Sequence, residues 1–313
     1  VDGVLNIDKP AGPTSHDVVD RVRQIVGQRR VGHAGTLDPF ASGVLVVCLG
    51  KGTRIVEYLM SSWKEYRAEL VLGVETDTGD VTGRVIAQHD ASGITVRDFE
   101  NAAAAFIGEI EQIPPLYSAV KHNGTRLYKL AREGRPVQPL PRKVTVYSID
   151  LISFDDAQAD ESGCYTRRVV IVIRCSSGTY VRSLAADIGK KLGSGAYVSE
   201  LRRTAVGKFR IDWAVTLDEL ELAKRENRLE DLIIDLNRAL ELAEIPSVSV
   251  GPDDFDAAIN GRSVRCSFKG ADGSVVRILA PHGSLIGVGK TVCSNGNVFV
   301  HPEKVLYAED GQH

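Results

Sequence analysis

The chain has no run of apolar residues long enough to span a bilayer. Its first residues, Val1-Asp2-Gly3-Val4-Leu5, lack the charged stretch and apolar core of a secretory signal. Both absences point to a cytoplasmic protein. Cysteine is sparse: Cys48, Cys164, Cys175, Cys266 and Cys293 are scattered, odd in number and never spaced as CxxC. That pattern excludes the common zinc and dithiol motifs and suits reduced, structural thiols. No HExxH pattern occurs. Gly50-Lys51-Gly52-Thr53 lacks the upstream glycine and the Lys-Ser/Thr pair of a phosphate loop. Gly287-Val288-Gly289 lacks the third glycine of a dinucleotide fingerprint, and no G-x-S-x-G elbow is present. Low-complexity tracts and internal repeats are absent as well.

What is present is 313 residues, 43% hydrophobic, enough for one large domain and a small one. Net charge is only −3, but it is unevenly spread. Residues 211–260 hold 13 acids against 4 bases, a local −9 that leaves +6 for the rest. Basic clusters at Arg29-Arg30, Arg126 to Arg135, Arg142-Lys143, Arg167-Arg168 and Arg202-Arg203 are able to neutralise phosphates, although any one pair also suits a solvated face.

Periodicity predicts a strand at Val4–Ile7 and a helix from an N-cap at Ser15 to about Val26, with Val18, Val22 and Ile25 inward. An apolar run, Val44 to Leu49, reads as a buried strand, Arg54 to Met60 as helix and Lys64 to Leu72 as strand. Thr95 to Asp98 opens a helix in capping-box style that ends by Ile113-Pro114-Pro115. Residues 118–143 form a polar, basic excursion with a short helix near Leu127–Arg132; excursions of that length tend to be functional. Val144–Phe154 and Tyr165–Cys175 read as paired strands, and Thr179–Leu192 as a helix. A second capping box at Thr216-Leu217-Asp218-Glu219 starts helical sequence reaching about Leu242. Beyond Ile245-Pro246 short β segments follow: Val275–Leu279, Leu285–Val288 and Val298–His301. The expected division is 1–245 and a small β-rich unit at 246–313, in an α+β fold.

The segment Gly32-His33-Ala34-Gly35-Thr36-Leu37-Asp38-Pro39-Phe40-Ala41-Ser42-Gly43 is the most informative. It sets one carboxylate among small residues between a basic helix end and an apolar strand. Gly35, Ala41 and Gly43 allow a planar group to come close to the backbone, and Pro39 keeps Asp38 extended. With no second carboxylate beside it, a two-carboxylate hydrolase is excluded. On composition alone an ordinary turn and a catalytic loop both remain open.

That segment is similar to the active-site segment of the TruB family of pseudouridine synthases. Six further stretches resemble that family's motifs, in order, between residues 3 and 204. They are Gly3-Val4-Leu5-Asn6-Ile7-Asp8-Lys9-Pro10, Lys64-Glu65-Tyr66-Arg67 with Thr76-Asp77-Thr78-Gly79-Asp80, Pro115-Leu116-Tyr117-Ser118-Ala119-Val120-Lys121, Ser177-Gly178-Thr179-Tyr180-Val181-Arg182-Ser183-Leu184, and Tyr197-Val198-Ser199-Glu200-Leu201-Arg202-Arg203-Thr204. The resemblance implies a pseudouridine synthase fold with a large mixed, mainly antiparallel sheet flanked by helices, and a PUA-like C-terminal domain, which Asp253 to Tyr307 resembles only loosely. It implies isomerisation of uridine 55 in the T loop of tRNA by a stand-alone, monomeric protein. Related readings are a guide-RNA-dependent synthase and a tRNA-folding helper without catalysis.

The implied chemistry breaks C1′–N1, turns the uracil and rejoins it through C5, which calls for no metal and no redox cofactor. Asp38 takes the role of nucleophile or stabiliser. Desolvation raises a carboxyl's pKa, so a fixed cation is needed, and the resemblance gives that role to Arg182. Tyr66 stacks on the base and moves a proton, and Tyr180 and Leu201 complete an apolar sleeve. His33 wedges into the space left by the extruded base. Lys9 and Asp80 line the pocket, while Lys121, Lys129 and Arg132 of the excursion hold the RNA stem-loop through its phosphates.

Overall fold

The computed structural model describes residues 1–115, 118, 121–122, 125–126, 137, 139–159, 163–294 and 296–307. The helix expected near Leu127–Arg132, Lys129 and Arg132 themselves, and the side chain of Lys121 lie outside them.

A ten-stranded sheet forms the body. Its backbone order is β1 (Gly3–Lys9), β3 (Ser42–Leu49), β13 (Ala196–Val206), β4 (Lys64–Leu72), β12 (Tyr165–Cys175), β10 (Arg142–Phe154) and β7 (Gly108–Gln112). β2 (Val31–His33), β11 (Gln158–Ala159) and β14 (Phe209–Arg210) attach to its sides. Within this sheet, among the described residues, only the β13–β3 pairing is parallel; its other ladders are antiparallel, so the sheet is mixed and mainly antiparallel, as expected. Two short hairpins, β5 (Val74–Thr76) with β6 (Val85–Gln88) and β8 (Lys121–His122) with β9 (Thr125–Arg126), stand apart. A five-stranded sheet follows: β15 (Ser247–Ser249), β17 (Val275–Leu279), β18 (Leu285–Ser294), β19 (Asn297–Val305) and β16 (Val264–Cys266).

The unbroken apolar run of β3 has a simple cause. Leu45, Val47 and Leu49 face helix α1 (Ser15–Val26), while Val44, Val46 and Cys48 face a second layer that includes Leu240 of the helix at Leu236–Leu242 and Val288 of the C-terminal sheet. A strand covered on both faces has no polar side. Helices α2 (Val56–Met60), α3 (Val96–Ala104) and α4 (Val181–Leu192) follow in the chain. α3 and α4 cover the face of the sheet that carries Tyr66, Leu70, Ile171 and Ile173. Among the described residues no cysteine forms a disulfide, and Cys48 and Cys175 are buried. Among the described residues no helix is long and apolar enough to cross a membrane.

Three local expectations need correction. Thr14, not Ser15, is the N-cap of α1: its backbone is extended, and it closes a capping box with Asp17. Ser15 is buried instead and ties the helix to the Asp38 loop, its Oγ accepting from Leu37 N at 2.9 Å and donating to Leu37 O at 3.1 Å. The helical stretch from Thr216 breaks at Arg225, passes through a 3-10 turn at Leu229–Leu232 and restarts at α6 (Leu236–Leu242) after α5 (Leu217–Arg225), because Asp235 supplies a new cap. Strand β7 intervenes between α3 and the prolines.

Candidate active site

β13 carries a bulge that builds the site. Ala196 and Val198 face the core opposite Leu72 and Leu70, and then one extra residue, Ser199, slips the register. Leu201 therefore meets Ala68 and Arg203 meets Tyr66, on the core face, where strict alternation would have placed Glu200 and Arg202. A one-residue slip turns every following side chain to the other face, and bulges are commonly used to re-aim side chains beside functional sites.

The loop between β2 and β3 is held from beneath. Lys9, wholly buried, donates from Nζ to Ala41 O at 2.6 Å, Pro10 O at 2.8 Å and Pro39 O at 3.3 Å. Burial pulls its pKa down to about 8, against the attraction of Asp38. Arg203, also buried, donates to Val44 O, Gly35 O and Thr36 O at 2.7, 3.0 and 3.3 Å. Gly43 has φ +104°, and a Cβ there would sit 2.2 Å from Arg203 O, so this glycine serves strand packing rather than the approach of a ligand.

Asp38 projects from this loop into an open cavity of about 310 Å³, walled also by Tyr66, Tyr180, Arg182, Leu201, Arg203, Lys64 and Arg142. That volume lies at the lower end of small-molecule sites, ~300–1,000 Å³. Arg182, 3% exposed, ion-pairs with Asp38 through Nε at 2.8 Å and with Asp80 through Nη1 at 3.2 Å. Its Nη1 also donates to Thr78 O at 3.0 Å. Asp80 is fixed in turn, accepting from Thr82 Oγ1, Thr78 Oγ1 and Thr82 N at 2.6, 2.9 and 3.0 Å. Burial pushes the Asp38 carboxyl above the ordinary carboxylate range; Arg182 opposes that rise and Asp80 adds to it. Burial likewise raises the Tyr66 and Tyr180 phenols.

The structure thus brings Asp38, Tyr66, Tyr180, Arg182 and Leu201 to one cavity. Asp80 stands behind Arg182, and Lys9 stands behind the loop, so neither forms the wall. His33 ends β2 opposite Val47 and does not line the cavity either. Three residues escaped the sequence reading. Lys64, whose Nζ donates to Ser62 O at 2.6 Å and to Met60 O, is a buried wall residue with its pKa lowered to about 8 by burial. Arg203 sat in a recognised motif without a role. Gln112, at the end of β7, accepts from Tyr180 N at 2.7 Å and donates to Tyr180 O at 3.0 Å. Tyr180 is the N-cap of α4 and its side chain makes no capping hydrogen bond, so this amide fixes the start of the helix that bears Arg182. Only the Gln112–Tyr180 contact, not local sequence, marks that residue. Gln112→Ala leaves the Tyr180 N–H unpaired, while Tyr180 O keeps its bond from Leu184 N at 3.1 Å, so a loss of about 1–3 kcal/mol in stability is expected by denaturant melting. About tenfold lower turnover is expected with it, on the scale of a misplaced catalytic group; unchanged stability contradicts the clamp.

One carboxylate, the guanidinium paired with it and two phenols share this cavity, on a mixed sheet followed by a β-rich C-terminal unit, and similarity to known proteins places that fold in the pseudouridine synthase class. The family model described as TruB family pseudouridylate synthase, N-terminal domain, matches residues 23–181, and the tRNA pseudouridylate synthase B C-terminal domain matches 182–241. A tRNA pseudouridine synthase B of Dehalococcoides mccartyi is 45% identical over 265 residues, covering 84% of each chain. The enzyme of the same name from Pelotomaculum thermopropionicum is 39% identical, covering 100% of this chain and 99% of its own. A chain in the solved structure of an H/ACA RNP bound to a substrate RNA containing 2′-deoxyuridine is 28% identical with a TM-score of 0.74, covering 98% of this chain and 86% of that one. The chain belongs to the TruB family of pseudouridine synthases and is an isomerase.

Proposed function

We propose that the protein converts uridine 55 in the T loop of tRNA to pseudouridine, acting as a stand-alone enzyme. The observation that carries this reading is the Arg182–Asp38 ion pair at the floor of a cavity sized for one nucleoside. The extruded uridine enters between Tyr66, Tyr180 and Leu201, with His33 at the end of β2 taking up space in the stack. The Asp38 carboxylate acts at C1′ as the C1′–N1 bond breaks and its electron pair leaves with the uracil. The base turns within the apolar sleeve, C5 bonds to C1′ and displaces Asp38, the Tyr66 phenol takes the C5 proton as it releases its own to solvent, and N1 takes one proton back from solvent. Arg182 favours the ionised form of the free carboxylate. Lys121, Lys129 and Arg132 grip the RNA backbone in this reading. The chain divides near residue 245 into a catalytic part and a PUA-like part.

Because rejoining at C5 expels the C5 hydrogen, a tRNA transcript labelled with [5-³H]uridine must release tritium when no other RNA is added. Substituting cytidine at position 55 must abolish the release. Release that requires a second RNA favours the guide-dependent alternative; release unaffected by the substitution contradicts the site.

The raised Asp38 pKa has a testable sign. The carboxylate must be ionised to act, so the acid limb of the single-turnover rate is expected above the ordinary aspartate value of ~3.9. Between those two values the folded state binds the proton more tightly than the unfolded chain, so stability from this group falls as pH rises through the folded pKa. A pH–rate profile flat down to pH ~4 contradicts this.

A further inference from the structure

Arg203 sits one residue past a charge-bearing neighbour on β13, yet it behaves unlike Arg202. Arg202 reaches the surface and pairs with Asp8 at 2.7 Å. Arg203 is 1% exposed, the largest fully buried side chain in the molecule's described part. Its guanidinium donates to two loop carbonyls, of Gly35 and Thr36, and to Val44 O on β3, and among the described residues it forms no ion pair. A buried cation without a carboxylate partner is costly unless its donors are satisfied and its charge is used. Those three bonds take one N–H from each guanidinium nitrogen and leave one on each terminal nitrogen.

The register shows where these face. Arg203 and Tyr66 are direct partners across the β4–β13 ladder, so their side chains stand on the same face, and both line the cavity. The Gly35 and Thr36 carbonyls that Arg203 binds lie two and three residues before Asp38. One planar cation therefore touches the loop that carries the carboxylate and the strand position that carries the phenol. Its charge also opposes the rise that burial imposes on the Tyr66 pKa.

We infer that Arg203 is a positioning residue that couples the Asp38 loop to Tyr66, so that the group acting at C1′ and the group receiving the C5 proton are held in fixed relation. This rests on the proposed uridine isomerisation for its kinetic consequence, but not for its structural one. Lysine in its place retains the charge and loses the planar fork that reaches both partners.

The structural consequence is read without substrate. In Tyr66→Phe the guanidinium loses its phenol contact, and amide hydrogen exchange across residues 34–44 is expected to accelerate by about threefold or more; unchanged exchange overturns the coupling. The kinetic consequence is read by a double-mutant cycle on the single-turnover rate. Arg203→Lys is expected to slow the step by about 10–100-fold with RNA affinity held. Arg203→Lys combined with Tyr66→Phe is expected within about threefold of the slower single variant. Effects that multiply overturn the proposal, since a residue that merely supports the loop acts independently of the phenol. Ser15→Ala, which cuts a loop anchor remote from Tyr66, serves as the control whose effect does multiply. If wild-type protein makes no pseudouridine, the function proposed above fails, while the exchange experiment still decides the coupling.

Discussion

Asp38→Asn is expected to lower pseudouridine formation by at least ~10⁴-fold, the scale on which removal of an active nucleophile acts. RNA affinity is expected to stay within about threefold, because backbone phosphates dominate that binding. The substitution is nearly isosteric, and the loop geometry does not depend on the carboxylate charge. Lys9, Ser15 and Arg203 hold the loop through the backbone of Pro39, Leu37, Gly35 and Thr36. What disappears is the negative group at C1′. Quench-flow rates and filter binding on the same RNA separate the two effects. Comparable losses in both would mean that Asp38 is a binding residue.

Arg182→Met is expected to be the second most damaging change, and for a different reason. Arg182 is 3% exposed and bridges two carboxylates. Removing one member of such a buried cluster leaves uncompensated charge, which costs about 3–5 kcal/mol. It also deletes the main influence that lowers the Asp38 pKa, leaving desolvation and Asp80 to raise it. The acid limb of the rate must therefore move to higher pH, with turnover at neutral pH down by about 10³-fold. Arg182→Lys is expected to recover part of the pH shift but little of the rate, since an ammonium cannot span Asp38, Asp80 and Thr78 O as the fork does. An acid limb that stays in place would show that burial alone sets the carboxyl.

How much of this was legible in the sequence follows from the range of the forces involved. Helix starts with Thr-x-x-Asp or Thr-x-x-Glu boxes, at Thr95 and Thr216, depend on contacts three residues apart and could be read directly. The strand from Val44 could be read because burial on both faces leaves an unbroken apolar run. β13 could not, because the bulge at Ser199 puts Leu201 and Arg203 on a face that alternation denies them. In the same way Asp38, Tyr66, Tyr180 and Arg182 were marked by motif resemblance, and the fold gathers them. Arg203 and Gln112 act through carbonyls and amides distant in sequence, which leave no local signature, whereas Lys64 binds the nearby Met60 and Ser62 carbonyls and only the fold puts it in the cavity wall. Lys9 shows the converse: its motif implied a pocket residue, whereas three backbone carbonyls hold it behind the loop.

The most direct test maps pseudouridine in an unmodified tRNA transcript by carbodiimide-dependent primer extension, using wild-type protein and Asp38→Ala with no other RNA and no metal added. The account predicts a single stop reporting position 55 with wild-type protein and none with Asp38→Ala. A stop elsewhere, or one that persists in Asp38→Ala, would contradict it.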